Sequence, residues 1–202
     1  MLARMRTPSA DIDAAPVLPR AFFARPPAVV APLLLGKLLH HRDGRLARLV
    51  EVEAYAQDDP AAHTFRGPTA RNRSMFGPPG HLYVYLSYGV HWCANLVCDA
   101  EGVGAGVLLR AAEPLEGVAQ MKQARGRDAL RELCSGPGRL AQAFGIDGTL
   151  DGSDTTGTGV ITLLDDGHAP EVLACPRIGL SKNAEAPLRF VVPGSAFLSR
   201  RP

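Results

Sequence analysis

Several features that define common protein classes are missing from this sequence. The four cysteines, Cys93, Cys98, Cys134 and Cys175, show no CxxC spacing, and no Cys/His cluster of the zinc-binding kind accompanies them. We therefore expect reduced, mostly buried thiols and no metal. No apolar run approaches the ~20 residues of a membrane span, and the first residues lack the apolar core of a signal peptide. These absences predict a cytoplasmic protein with no membrane partner.

Motifs for nucleotide cofactors and activated nucleophiles are also missing. The chain has no GxGxxG, no GxxxxGK[ST] and no GxSxG sequence. It contains only three lysines, Lys37, Lys122 and Lys182, which leaves few candidates for a Schiff-base amine. We therefore expect no cofactor, and an amine mechanism is disfavoured.

The composition is that of an ordinary globular protein. The chain has 202 residues, of which 46% are apolar and 21% charged, and its formal net charge is +2. A mildly basic chain permits a polyanionic partner but does not by itself argue for one. The start, rich in Ala, Pro and Asp, predicts a flexible N-terminal arm over residues 1–20. We expect a single domain over residues 21–202.

Turn signals divide this domain into short elements. The Asp43-Gly44 turn between two alternating runs predicts a hairpin of strands 37–41 and 45–55, after a helix that ends at Gly36. Ser135 is a candidate N-cap for a later helix. Further strands are expected over 82–86, 92–98, 106–112, 160–164, 171–178 and 187–192, and helices over 121–133 and 135–144. Without regular strand–helix alternation, this pattern predicts one compact α+β domain with a curved, mainly antiparallel β-sheet flanked by helices.

Two carboxylates share one predicted strand. In LVEVEAY, alternation places Val50 and Val52 on one face and Glu51, Glu53 and Tyr55 on the other. Glu53 beside a tyrosine can act as a general base, although a solvated strand face explains it equally well. Glu51 and Glu53 together resemble the acid/base pair of a glycosidase, but neighbours on one strand point in parallel and flank a scissile bond poorly. One catalytic carboxylate is therefore favoured over two.

Three of the four tyrosines and the single tryptophan fall in HLYVYLSYGVHW. Tyr83 and Tyr85 share a strand face, and for Tyr83 packing in the core is the favoured interpretation. Tyr88 precedes the turn residue Gly89 and can project from the surface as a wedge or stacking platform. Trp92 is most simply a core residue.

The segment 57–80 is rich in Gly, Pro and Arg and predicts surface loops. His63 can donate a hydrogen bond to a ligand from such a loop, although a lone loop histidine is more often merely exposed. The same segment supplies hydroxyl and guanidinium donors for phosphate groups, from Thr69, Arg66, Arg71 and Arg73. A solvated loop is the alternative interpretation.

Six motifs taken together go further than any one of them. The sequences LVEVEAY, AAHTFRGPTARNRSMF, GHLYVYLSYGVHWCANLV, GVLLRAAEPLEG, LCSGPGRL and RIGLSKN with PLRF occur in the order and rough spacing of one family. The chain resembles the alkyladenine (3-methyladenine, or methylpurine) DNA glycosylases from about residue 20 to residue 200. This resemblance implies a monomeric base-excision repair enzyme that acts on damaged purines in duplex DNA, in the cytoplasm or, in a bacterium, at the nucleoid.

The resemblance also implies a role for each matching residue of the pocket. Glu53 would deprotonate or orient the attacking water, and Arg110 would help to hold that water. Tyr55 and Tyr85 would stack on the two faces of the flipped base, while His63 would donate a hydrogen bond to it.

Four other positions match residues that face DNA or select the base. Tyr88 would enter the duplex through the minor groove and fill the space that the base leaves. Asn95 would crowd the 2-amino group of normal guanine, and Thr69 and Arg71 would contact the backbone.

Three residues depart from the family pattern. Val90 stands where methionine is common, and Gly138 and Arg139 stand where Ser-Lys is frequent, so duplex affinity and lesion range are open. Two alternatives to a glycosylase also remain, namely a non-catalytic binder of damaged nucleic acid and a hydrolase of free nucleosides. The presence of both Glu53 and Arg110 argues against the binder.

Overall fold

The computed structural model describes residues 15–157 and 159–202. Within these ranges the helices are α1 (Arg20–Phe23), α2 (Pro27–Leu34), α3 (Val118–Arg125), α4 (Arg131–Cys134) and α5 (Pro137–Phe144). The strands are β1 (Leu38–His41), β2 (Leu46–Tyr55), β3 (Leu82–Ser87), β4 (His91–Val97), β5 (Gly106–Glu116), β6 (Ile161–Leu164), β7 (Leu173–Cys175) and β8 (Arg189–Val191). Two 3-10 turns cover Arg73–Phe76 and Gly148–Leu150.

The strands form one curled, half-barrel sheet. Its order is β3-β4-β5-β2-β1-β6, with β8 paired to β2 and β7, and each pairing is antiparallel. Helix α2 packs on β2, and α5 packs on β4 and β5. The predicted α+β class, with a curved antiparallel sheet flanked by helices, is confirmed.

The main hydrophobic core lies between the sheet and these helices. Leu34 of α2, Leu49 and Val52 of β2, Leu109 of β5 and Phe144 of α5 are all fully buried in it. Burial of each such side chain is worth roughly 1.5–3 kcal/mol. The core therefore fixes β2 and β5 as the rigid base on which the neighbouring polar side chains stand.

A bulge interrupts β2 between Leu49 and Val52, where the register with β5 shifts. Val50 consequently packs in a small second cluster with Ala111 and Val191, whereas Val52 packs in the main core. The expectation that Val50 and Val52 share a face is therefore wrong, because a bulge adds a residue and breaks the period of two. Glu51 lies within the bulge, whereas Glu53 and Tyr55 follow it in regular register with β5.

The helical region after β5 differs from the prediction of one helix over residues 121–133. Helix α3 ends at Arg125, because Gly126 follows with a φ of 59° and caps it in the left-handed conformation. A separate short helix, α4, begins at Arg131. Ser135 is not an N-cap, since its hydroxyl donates to the Arg131 carbonyl and α5 starts after Gly136.

The described chain is already part of the fold before Ala21. Val17 bridges to Leu164, and the Leu18 amide donates to the Leu163 carbonyl at 2.8 Å. The other residues of the predicted arm, 1–14, lie outside the described residues, as does position 158. Across the described ranges, no helix combines the length and apolar character needed to cross a bilayer.

Candidate active site

A cavity of about 660 Å³ opens beside strands β2 to β5. Its walls come from these strands, from the loop between β2 and β3, from the start of α5 and from the segment after β7. A volume of this size suits a small organic ligand. Most of the site residues predicted from the sequence line it, namely Tyr55, His63, Arg71, Tyr85, Tyr88, Asn95 and Arg110.

Glu53 lies directly behind the cavity wall and is fully buried. One carboxylate oxygen, Oε2, accepts hydrogen bonds from the Tyr55 hydroxyl at 2.9 Å and from Arg110 Nη1 at 3.1 Å. The other oxygen, Oε1, accepts one from the Ile178 amide at 2.8 Å. All three donor residues line the cavity. The solvated strand face that the sequence left open for Glu53 is therefore excluded.

Arg110 joins Glu53 to the second carboxylate of the strand. Its Nε donates to Glu51 Oε1 at 2.9 Å, while Nη1 contacts Glu53. Burial opposes the charge of Arg110, but the adjacent Glu53 and Glu51 outweigh it and raise the pKa of the guanidinium. One cation thus lies between two anions inside the protein.

Glu51 is fully buried and, like Glu53, does not itself line the cavity. Besides Arg110, it accepts from Arg189 Nε at 2.9 Å, from the Ser199 amide at 2.6 Å and from the Ser199 hydroxyl at 2.7 Å. Burial penalises its charge, but the bonds from Ser199 and the cations Arg110 and Arg189 lower its pKa overall. Glu51 therefore holds Arg110 in place and does not form a second acid beside Glu53.

Two tyrosines provide aromatic surface on the cavity. Desolvation raises the pKa of the Tyr55 hydroxyl, and the charge of Glu53 raises it further, so this hydroxyl keeps its proton for the carboxylate. One face of the Tyr55 ring is covered by Arg177, whose guanidinium carbon is 4.5 Å from the ring centroid. Tyr85 stacks beside Tyr83, with centroids 5.5 Å apart and planes inclined by 20°.

Tyr83 is buried, as the sequence predicts, yet it also contributes to the site. Burial raises the pKa of its hydroxyl to about 12. This hydroxyl lies 3.0 Å from Nδ1 of His63. In the tautomer that accepts this hydrogen bond at Nδ1, the other ring nitrogen, Nε2, carries the remaining proton of His63.

His63 stands at the mouth of the cavity with its ring edge against Tyr85, the centroids being 4.6 Å apart at 81°. Desolvation lowers the pKa of its imidazole, and the nearby Arg71 lowers it further. A neutral imidazole is therefore favoured at neutral pH. His63 can then act as a single hydrogen-bond donor toward the cavity.

Asn95 lies on β4 in the cavity wall, where it is only 4% exposed. Its Nδ2 donates to the Tyr83 carbonyl at 3.3 Å, which fixes the side-chain amide. Cys93, two residues earlier, also lines the cavity, and burial raises the pKa of its thiol. A fixed amide in an enclosed wall can exclude ligands by shape.

Tyr88 projects from the turn between β3 and β4 and is 94% exposed. Its φ is 50° and that of Gly89 is 72°, and the Val90 amide closes the turn on the Ser87 carbonyl at 3.0 Å. A positive φ costs a tyrosine roughly 1–2 kcal/mol, whereas it costs glycine little. A strained, exposed aromatic at the rim of a cavity indicates a functional position.

The remaining predicted rim residues lie in the loop before the Arg73–Phe76 turn. Thr69 is exposed, but its hydroxyl donates to Asn72 Oδ1 at 3.0 Å and so orders the loop. Arg71 donates to the Leu86 carbonyl at 3.0 Å and joins the loop to β3. The other N–H groups of Arg71 remain close to the cavity mouth, where an anion can reach them.

The three departures from the family pattern lie near this rim. Val90 is 69% exposed in the Tyr88 turn, and Arg139 is exposed on α5. A Cβ atom at Gly138 would lie 2.9 Å from the Cβ of His91. The close approach of His91 therefore favours glycine at position 138, because a serine there requires the backbone of α5 or β4 to move.

The sequence did not predict the contacts of several site residues. Arg177 and Ile178 fall in the motif RIGLSKN, but only the fold shows that they reach Tyr55 and Glu53. Ser199 lies near the end of the chain and 148 residues from Glu51, so no spacing rule connects them. Contacts of this kind depend on how β7, β8 and the C-terminal segment cross β2.

Known proteins match the chain over nearly all of this structure. The sequence pattern described as Methylpurine-DNA glycosylase matches residues 21–196. A protein of Burkholderia lata is 54% identical over 190 residues, which cover 91% of each chain. Relatives in Rhodopseudomonas palustris strain CGA009 and Agrobacterium fabrum are 50% and 48% identical, over 92% of this chain and 89% and 94% of theirs. All three carry the provisional name 3-methyladenine DNA glycosylase.

The fold, the cavity and these similarities define the chain as an enzyme that hydrolyses N-glycosyl bonds. Its class is that of the DNA glycosylases that repair alkylated purines. More particularly, it belongs to the methylpurine-DNA glycosylase family.

Proposed function

We propose that the chain is a monofunctional DNA glycosylase of base-excision repair. It flips an alkylated or deaminated purine out of duplex DNA into the cavity, hydrolyses the N-glycosidic bond with an activated water and leaves an abasic site. The supporting observation is the enclosed carboxylate of Glu53, which is held by three residues that line an aromatic cavity.

Glu53 and Arg110 act on the water in this proposal. A carboxylate has about four lone-pair positions, and three of those on Glu53 already accept hydrogen bonds from the protein. The remaining position is on Oε1, which accepts only the bond from the Ile178 amide. A water there is oriented by Glu53 and held by Arg110, and the negative charge of Glu53 stabilises an oxocarbenium-like sugar.

A single carboxylate suffices for damaged bases that are good leaving groups. A 3-alkylated adenine is cationic and departs as a neutral base, so the enzyme need not supply a second acid. This chemistry agrees with the position of Glu51, which already accepts four hydrogen bonds, from Arg110, Arg189 and Ser199. Deaminated purines are neutral and require a proton donor in addition.

The flipped base stacks between Tyr55 and Tyr85, and His63 donates a hydrogen bond to it. Each aromatic contact returns ~1–3 kcal/mol of the cost of extruding the base. Asn95, fixed on the Tyr83 carbonyl, collides with the 2-amino group of normal guanine. Selection thus combines the ease of flipping with the shape of the cavity.

Tyr88 enters the minor groove and fills the vacated space, while Thr69 and Arg71 face the backbone. Tyr88 suits this role because it is exposed at the cavity rim. One chain supplies all of these groups, so we propose a monomeric enzyme. Its substrate would place it with the chromosome, which in a bacterium lies in the cytoplasm.

The nucleophile is water and not an amine in this proposal. Among the described residues that line the cavity there is no lysine. Lys182 is exposed on the segment after β7, and Lys37 is paired with Asp165. A covalent protein–DNA adduct trapped by borohydride would contradict this step.

The variant Glu53→Gln tests the proposal. It should bind a duplex with a damaged purine and lose at least about a hundredfold in the single-turnover rate of base release, scored as alkali-labile abasic sites. Thermal unfolding of the variant controls for damage to the fold. Full activity would refute the role of Glu53. If the unmutated protein hydrolyses free nucleosides but does not act on duplexes, the nucleoside hydrolase is favoured. If it binds lesions but releases no base, the non-catalytic binder is favoured.

A further inference from the structure

The two aromatic walls of the cavity differ in what lies behind them. Tyr55 lines the cavity and Arg177 does not, so the guanidinium covers the face of the ring that is turned away from the cavity. Its carbon lies 4.5 Å from the ring centroid, and the Arg177 side chain is fully buried. This is the geometry of a desolvated cation–π contact.

Arg177 is anchored next to the ring by polar contacts. It forms a buried ion pair with Asp59, and its Nη1 donates to the Ala54 carbonyl at 3.0 Å. Asp59 in turn accepts from Asn183 Nδ2 at 3.1 Å. Burial opposes the charge of Asp59, but hydrogen bonds, the largest from Arg177, lower its pKa overall. The guanidinium is thus held as a fixed cation behind Tyr55.

The opposite wall has neutral aromatic neighbours. Tyr85 stacks beside Tyr83 and meets the ring edge of His63. The cation–ring contacts among the described residues involve Tyr55 and Phe22, and none involves Tyr85. Among the described residues, the quadrupole of the Tyr85 ring is therefore not shared with a protein cation.

A cation on one face of an aromatic ring reduces the attraction of the other face for a second cation. Both cations compete for the same ring quadrupole and repel each other through the ring. A neutral base loses little of its stacking energy on such a ring. The Tyr55 wall should therefore discriminate between charged and neutral bases, while the Tyr85 wall accepts both.

We propose that Arg177 is a positioning residue that sets the lesion preference of the cavity. It fixes the ring of Tyr55 and, as a cation, weakens the stacking of a positively charged base on that wall relative to a neutral base. This proposal rests on the proposed function, in which the flipped base stacks on Tyr55.

The test measures binding, so that chemistry does not enter. In the Glu53→Gln background, duplexes with 3-methyladenine, which is cationic and lacks the 2-amino group that Asn95 excludes, or hypoxanthine, which is neutral, are titrated with each protein. The double variant Arg177→Met with Asp59→Asn removes both partners of the buried pair and leaves no unpaired charge. We expect the affinity ratio of the cationic to the neutral lesion to rise about fivefold. Other contacts with the two bases cancel when each ratio is compared with that of the Glu53→Gln parent.

The variant Arg177→Lys supplies the matched control. It keeps the cation and loses the flat guanidinium, so its affinity ratio should stay within about twofold of the parent's. If the double variant does not fold, Arg177→Gln with Asp59→Asn removes the same charges and keeps a donor for the Ala54 carbonyl.

If Arg177 only supports the structure, the double variant should bind both lesions more weakly by the same factor. An affinity ratio equal to that of the parent would therefore overturn the proposal. A parent protein that prefers neither lesion over undamaged duplex would instead overturn the proposed function, and this proposal with it.

Discussion

The back of the cavity and its rim hold their side chains in opposite ways. Behind the cavity, Glu51 and Glu53 are fully buried and Arg110 is 7% exposed, and all three are joined by short hydrogen bonds. At the rim, Tyr88 is 94% exposed on a two-residue turn. The first arrangement fixes the positions of the reacting groups before a substrate binds. The second leaves a side chain exposed for contact with a partner.

The difference also separates stability from binding. Removing one partner of a buried charge network costs about 3–5 kcal/mol, because the remaining charges stay buried without compensation. Removing an exposed side chain costs little in folding, so its effect appears in binding. Substitutions at the two regions should therefore be distinguishable by which measurement they change.

The largest effect is expected for Glu51→Ala. The change leaves the buried Arg110 and Arg189 without their shared carboxylate. The expected loss of about 3–5 kcal/mol corresponds to a fall of roughly 6–20 °C in Tm for a domain of this size. Thermal unfolding followed by circular dichroism measures it, with Glu116→Ala at the exposed end of β5 as the control. Equal Tm values for the two variants would contradict the role of the network.

Tyr88→Ala is expected to change duplex binding and not folding. The loss of one stacked aromatic corresponds to about a tenfold weaker Kd for damaged duplex, measured by fluorescence anisotropy. Tyr88→Phe keeps the ring and should retain the affinity. Tyr88→Gly should bind as weakly as Tyr88→Ala but be about 1 kcal/mol more stable, because it relieves the positive φ. Parent-like affinity of Tyr88→Ala would exclude the wedge.

The sequence predicted the directions of side chains better than their partners. Alternation placed Glu53 with Tyr55 and Tyr85 with Tyr83, because a strand period of two is a local property. The bulge at Val50 and the break at Gly126 were missed, since bulges and glycine caps depend on the neighbouring elements. Arg177 and Ser199 were missed because only tertiary packing brings them to β2. The family resemblance named the cavity residues, but the buried network behind them required the fold.

A smaller effect is expected from the pH dependence of stability at His63. Desolvation and Arg71 lower the pKa of His63 in the folded state below its ordinary value of 6.5. Between the lowered pKa and 6.5 the unfolded chain binds the proton and the folded chain does not, so stability rises with pH in this window and falls on acidification. His63→Gln should show a shallower fall of Tm between about pH 6.5 and pH 5 than the parent. Parallel Tm profiles for the two proteins would contradict the assignment.

The smallest effect is expected for Thr69→Val. The Thr69 hydroxyl has one proton, which it donates to Asn72, and phosphate oxygens only accept, so a contact with the DNA backbone competes with the bond inside the loop. We expect a loss of about 0.5–1 kcal/mol in folding and less than about threefold in Kd for undamaged duplex. Thr69→Ser, which keeps the hydroxyl, should match the parent in both measurements. A tenfold weaker Kd with an unchanged Tm would show instead that the hydroxyl leaves Asn72 for a phosphate, and the rim would then be remodelled when DNA binds.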